Sequence, residues 1–173
     1  MAQQHYTNIL VPVDGSVQAE LALKKAVALA QQSEHAHVDL LNVLRINHYG
    51  FYASGSMPGD VIHDLAQDAT AYLTSLVETT RAATGFKELT IHVRFGNPKT
   101  VIAHEFVADH HNDLIVLGAT GMSAVARMVE GSVTAYVSRM ANIDVFVVRT
   151  DTTGAPIDTK QVVAKNREQP KLP

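Results

Sequence analysis

The chain has 173 residues, 46% of them hydrophobic, which suits one domain with a full core and leaves too little chain for two. It contains no cysteine, which excludes disulfides, thiolate metal sites and cysteine nucleophiles and is compatible with a reducing compartment. The 14 basic and 17 acidic residues are dispersed, for a formal charge of −3, so nothing points to a nucleic-acid surface.

Strand-like and helix-like patterns alternate along the chain. Ile9 to Val13 reads as a first strand, and Ser16 can cap a helix to about Gln32 with Leu23, Ala26, Val27 and Ala30 at helical spacing. Val38 to Leu44 is a second strand. Residues 45–59, RINHYGFYASGSMPG, form a long loop with two readings: a lid in which Tyr49, Phe51 and Tyr52 stack on a base, or a mobile surface loop. Asp60 to about Thr84 predicts a long helix with Leu65, Ala69, Tyr72, Leu73, Leu76 and Val77 on its buried side, stopped by Gly85. Leu89 to Phe95 alternates as a half-exposed third strand, and Asn97-Pro98 starts a helix through Phe106. Asp113 to Leu117 is a fourth strand, apolar enough to be covered on both faces. A glycine loop, a helix from Ser132 and a fifth strand at Val145 to Val148 complete a domain over residues 1–150, and residues 151–173 form a C-terminal tail with three prolines.

Such alternation predicts a single α/β domain: a doubly wound, five-stranded parallel sheet with helices on both faces, because parallel strands need helical crossovers. Ligands of such sheets bind at the carboxyl ends of the strands, where the strand order reverses. Asp14, Leu44 and Gly118 all fall at such ends. The opening residues, MAQQHYTNILVPVD, place no basic segment before an apolar stretch, and no apolar run approaches a membrane span, so a cytoplasmic protein is expected.

Residues 113–133, DLIVLGATGMSAVARMVEGSV, carry the pattern GxxGx(9)GS. Gly118 and Gly121 allow a sharp turn and close approach of a ligand to the backbone, while Ser132 adds a hydroxyl to the free N–H groups and positive dipole end of a helix. The other reading is a glycine-rich connection with no ligand. A Walker loop is excluded because no lysine precedes Ser132, and a dinucleotide fingerprint because Gly118 is followed by Ala119-Thr120. Arg127 is the one cation in the loop, serving either a phosphate or solvent. Asp14 can accept hydrogen bonds from a ribose or adenine, or close an Asx turn with Gly15 and Ser16. Pro12 removes a donor from the first strand.

Nine histidines invite metal readings. His104-Glu105 begins HExxH, but the second ligand position holds Ala108, and the pairs His35/His37 and His110/His111 lack an evident third ligand. No GxSxG elbow, HxGH or SGGxDS string occurs, and no nucleophile with its base is visible.

The GxxGx(9)GS spacing resembles the nucleotide-binding signature of the universal stress protein family, in its ATP-binding branch. Tyr6 to Ser16, YTNILVPVDGS, resembles that family's opening strand, and the resemblance covers roughly residues 5 to 150 in order and spacing. It implies the strand order 3-2-1-4-5, with ATP as ligand, alone or with Mg. It also implies a nucleoside contact at Asp14, an adenine pocket bordered by Pro12, and backbone groups of Val43 at the adenine edge. Gly118, Gly121, Arg127, Gly131, Ser132 and Val133 complete the nucleotide set. The fifth strand, apolar on both faces yet at a sheet edge, predicts a homodimer through 145–148, as the resemblance also suggests. The family usually has proline near the start of that strand, where this chain has Asp144. The expected function is an ATP-binding stress-response regulator that couples occupancy to dimer state or partner binding. The alternatives are a slow ATP-hydrolysing or autophosphorylating enzyme and a nucleotide-independent scaffold.

Overall fold

Five strands, all parallel, alternate with helices in the computed structural model of the chain, which describes residues 5–45, 59–119 and 130–149. They are β1 (Asn8–Pro12), β2 (His37–Leu44), β3 (Leu89–Phe95), β4 (Leu114–Gly118) and β5 (Asp144–Val148), in the order β3-β2-β1-β4-β5. The helices are α1 (Val17–Ala30), α2 (Gly59–Thr84), α3 and α4 (Ser132–Met140). Helix α3 runs through an α-helical turn at Pro98–Thr100, a π-helical stretch at Val101–Glu105 and an α-helical end at Phe106–His110. The predicted order, parallel sense and element count hold, and strand limits differ by one residue. Residues 46–58, Gly121, Arg127 and the 151–173 tail lie outside the described residues, so the lid and tail readings are carried no further.

Two apolar layers sandwich the sheet, which is why its central strands carry unbroken apolar runs. On one face Ile9, Val11, Val38, Leu40, Leu114 and Val116 pack against Ala22, Leu23, Ala26 and Val27 of α1 and Leu73 and Val77 of α2. On the other, Leu10, Leu41, Ile115 and Leu117 meet Val101, Ile102 and Phe106 of α3 and Val137 of α4. Consecutive residues of β1 and β4 thus feed opposite cores, as strand pleating requires.

Helix α2 corrects one expectation. Leu65 is 42% exposed, and the buried line begins a turn later, at Ala69, Leu73 and Val77. The reason is length: 26 residues span about 39 Å as a helix, against about 26 Å for a strand the size of β2, so the first turns overhang the sheet. Helix α3 continues a turn beyond the predicted Phe106 and ends where His111 takes a left-handed conformation, φ 53°.

Between β2, β3 and the end of α3 lies a buried polar cluster. Asp39 faces the α3 side, since it pairs in register with Leu10, and only 5% of it is exposed. Its Oδ1 accepts from Nε2 of His92 at 2.8 Å and of His37 at 3.2 Å, and its Oδ2 accepts from Asn112 Nδ2 at 2.9 Å. His92 meets Phe106 and His110 edge-on, and His110 stacks on Phe106. Burial pushes the Asp39 carboxyl up, but the hydrogen bonds from His92 and Asn112 and the charges of His37 and His92 outweigh it, leaving it below the ordinary carboxylate value.

Removing the carboxylate strands three donors, so Asp39→Ala is expected to cost on the order of 3 kcal/mol in urea unfolding at neutral pH. Because folding lowers this carboxyl, its contribution is complete above the unfolded value of about 3.9 and is lost as pH falls through the lower folded value. The acid limb of a stability–pH curve should therefore flatten in Asp39→Asn. An unchanged limb would show that Asp39 does not stabilise the fold as an ion.

Candidate functional site

Strands β1 and β4 pair only at Ile9↔Leu114 and Leu10↔Ile115 and then part, while β1 stays paired with β2 as far as Pro12↔Leu41. The crevice so opened lies between the two central strands at their carboxyl ends, where the strand order reverses. The Val13 N–H points to β2, donating to the Leu41 carbonyl at 2.8 Å. By alternation the Pro12 nitrogen faces β4 where the strands have separated, so its missing N–H breaks no ladder bond. The same alternation turns the backbone of Val43 toward the β1 side, past that strand's last pair, because Leu44 faces β3 and accepts from Gly96 N–H.

After Pro12 the chain turns sharply through Gly15, φ 86°. Ser16 N–H donates to Asp14 Oδ1 at 3.1 Å, and Ser16 Oγ caps α1 by accepting from Ala19 N–H at 3.2 Å. The Asx turn is therefore formed, and Asp14 itself remains exposed at the mouth of the crevice.

Across the crevice, Gly118 has a packing reason beside the one its sequence suggested. A Cβ there would lie 2.8 Å from the Gln18 backbone, so the residue is small because the first turn of α1 packs directly on the end of β4. Its carbonyl accepts from Thr134 Oγ1 at 2.9 Å. Beyond it, Ala119 N–H donates to Val148 and Gly131 N–H to the Ala119 carbonyl, at 2.9 and 2.8 Å. Ala119 and Gly131, on either side of residues 120–129, are thus joined by a backbone hydrogen bond. The Gly131 N–H is spent in that bridge. Gly131 serves as N-cap of α4 with no side-chain cap, and Ala135 makes the first helical bond back to it. The N–H groups of Ser132, Val133 and Thr134 consequently point out of the helix start. Ser132 is exposed, and Val133 is half-buried against the α3-side core.

One residue escaped sequence reasoning. Lys99 Nζ lies 5.9 Å from the Tyr136 ring centroid, and His104 meets the same ring edge-on at 6.4 Å. Residues 99 and 104 of α3 therefore both meet residue 136 of α4, one turn after Ser132. Neither helix has an acidic residue in its first turn, and among the described residues no carboxylate lies within ion-pair distance of Lys99. Lys99 thus sits in the first turn of α3 and beside α4. The available signal was a cation directly after Asn97-Pro98, where helices favour acids. Among the described residues no group of three or more histidines and carboxylates is placed to hold a metal.

A five-stranded parallel sheet of this order, with helices on both faces, defines a doubly wound α/β protein. Comparison with protein families matches residues 5–149 to the universal stress protein family, and the chain belongs to that family. A Staphylococcus aureus (strain USA300) protein named as a universal stress protein is 32% identical over 164 residues, covering 95% of this chain and 96% of that one. The structure of universal stress protein UspA from Lactobacillus plantarum is 33% identical with TM-score 0.67, covering 85% of this chain and all (100%) of that one. A universal stress protein solved in complex with cAMP shares the fold at 24% identity and TM-score 0.60, over 86% of this chain and 100% of that one.

The Gly118 contact is testable without any ligand. Gly118→Ala forces a methyl group onto the α1 backbone and is expected to destabilise the ligand-free chain by about 1 to 3 kcal/mol in denaturant unfolding. Unchanged stability would return Gly118 to a role in ligand approach alone.

Proposed function

We propose that this chain is an ATP-binding regulator of its family, in which nucleotide occupancy is coupled to dimer state or to binding of a partner. The observation that carries the reading is the parting of β1 from β4. It opens a crevice bounded by Asp14, by the turned-out backbone of Val43 and by the start of α4, whose N–H groups have no side-chain cap among the described residues. In this reading adenine lies along Val43 and Pro12, and the ribose meets Asp14. The phosphates meet the α4 start at Ser132 and Val133, the glycine loop with Gly121 and Arg127, and Lys99, with Mg joining where phosphate oxygens allow. The cAMP complex of a protein sharing this fold supports an adenine nucleotide as ligand. We place the domain at residues 1–150 and the protein in the cytoplasm; among the described residues no helix is long and apolar enough to cross a membrane.

The division of labour sets the test, calorimetry with adenosine and ATP on folded variants. Gly121→Val should nearly abolish ATP binding by placing a branched side chain against the phosphates. Ser132→Ala should weaken it by about 1 to 3 kcal/mol, the loss of one hydroxyl bond to a charged acceptor. Lys99→Gln should weaken ATP and spare adenosine, whereas Asp14→Ala should weaken both. Wild-type ATP affinity in a folded Gly121→Val chain would remove the phosphate-loop assignment.

Assembly follows from the sheet edge. Among the described residues strand β5 has no neighbour on one side, with Phe146 40% exposed and Val145 and Val147 half-buried. Asp144, in place of the family's proline, accepts from the Tyr6 hydroxyl at 2.7 Å and ties the strand's start to the chain entering β1. We propose a two-fold antiparallel dimer through this edge. Phe146→Glu should then sediment as a monomer at micromolar concentration while the unsubstituted chain sediments as a dimer. A monomer in both would count against this assembly.

A further inference from the structure

The ladder between β1 and β2 stops on an incomplete rung. In a parallel pair a residue donates its N–H to one residue of the next strand, and its carbonyl accepts from the residue two further along that strand. Val13 makes the first half of such a rung, donating to the Leu41 carbonyl at 2.8 Å. The second half requires Val43 N–H to donate to the Val13 carbonyl. That bond is not formed: the paired register stops at Pro12↔Leu41, and among the described residues no backbone N–H reaches the Val13 carbonyl. Strand β2 itself runs on to Leu44, paired with β3 to its end at Leu44↔Phe95.

A side chain takes the place of the missing donor. Asn42 Nδ2 donates to the Val13 carbonyl at 2.8 Å. A carbonyl only accepts, so the contact also fixes which end of the amide points there. Leu40 belongs to the core beneath α1 and α2, and Leu41 and Val43 to the core beneath α3, so by alternation Asn42 leaves β2 on the α1 side. Its amide therefore reaches the carbonyl across the face of the sheet. The Val43 N–H stays in the plane of the sheet, with no partner among the described residues. With Asn42 in place, β1 turns away toward Asp14 without stranding an acceptor. Without it, the Val13 carbonyl has one donor within reach of its own ladder, the Val43 N–H.

We propose that Asn42 is a positioning residue of the nucleotide site: by satisfying the Val13 carbonyl it holds the last rung open and keeps the Val43 N–H for the adenine ring. The inference rests on the nucleotide reading and adds a residue that itself stays off the ligand. A strand residue presents its N–H and C=O to the same side, a donor beside an acceptor. Adenine presents the complement, a ring-nitrogen acceptor beside its amino donor. Inosine, with oxygen in place of the amino group, lacks that donor.

Asn42→Ala removes the side-chain donor, and the Val43 N–H is expected to close the rung in its place. In ligand-free protein the Val43 amide of the unsubstituted chain should exchange readily with deuterium, and in Asn42→Ala it should become protected by about ten-fold or more. A residue that merely supported the fold would loosen its neighbour when removed, not protect it. Adenosine affinity should fall about five- to ten-fold, and the preference for adenosine over inosine should shrink with it, while affinity for inorganic tripolyphosphate stays as it was. Asn42→Asp, of the same shape but without a donor at neutral pH, should reproduce the loss on adenosine. A Val43 amide already protected in the unsubstituted chain, one still unprotected in Asn42→Ala, or an equal loss on adenosine and inosine would overturn the proposal while leaving nucleotide binding intact. Unchanged adenosine affinity in both variants would do the same. An unsubstituted chain that binds neither adenosine nor ATP would instead overturn the nucleotide reading, and the proposal with it.

Discussion

The separation of β1 from β4 after two paired residues is the constraint on which the carboxyl end of this sheet depends. Neighbouring parallel strands normally continue their ladder as far as both extend. Here β1 continues with β2 only, and Pro12 stands where an N–H would otherwise have faced the gap. Two elements then leave the gap in different directions. One is the Asp14 turn into α1, and the other is the Gly118 connection toward α4.

Close packing holds this divergence in place. The end of β4 touches the first turn of α1 at Gly118, so the two lips of the crevice are set against one another by a contact too tight for a side chain. Thr134 ties α4 to the same carbonyl, and the Ala119–Gly131 bridge closes the base of the glycine loop. Geometry at the carboxyl end of the sheet is thus inherited from the rigid core.

The Asp39 cluster lies toward the amino end of β2 and contributes in a different way. Hydrogen bonds from β2, β3 and the second residue after α3 converge on one carboxylate, fixing α3 against the sheet with a specificity that apolar packing alone does not provide. Because α3 begins at the opposite end with Asn97, Pro98 and Lys99, a helix held at its last turn also holds its first. Placement of Lys99 beside α4 is therefore a consequence of where His92 and Asn112 find Asp39.

Local pattern determined the elements. Apolar runs bounded by glycine, serine and proline gave five strands and their helices within a residue or a turn, because pleat and helix periods are written in consecutive residues. Strand order came with the family resemblance, and the GxxGx(9)GS spacing located the loop at the end of β4. What tertiary structure decided involves residues far apart in the chain. Asp39 reads as one polar residue in an ordinary strand until His92 and Asn112 close over it. Gly118 reads as a ligand-facing glycine until α1 is seen against it. Leu65 reads as core until α2 proves longer than the sheet it covers. Periodicity states which face of an element is buried; what that face meets depends on how the chain returns, and that is fixed only when the layers pack.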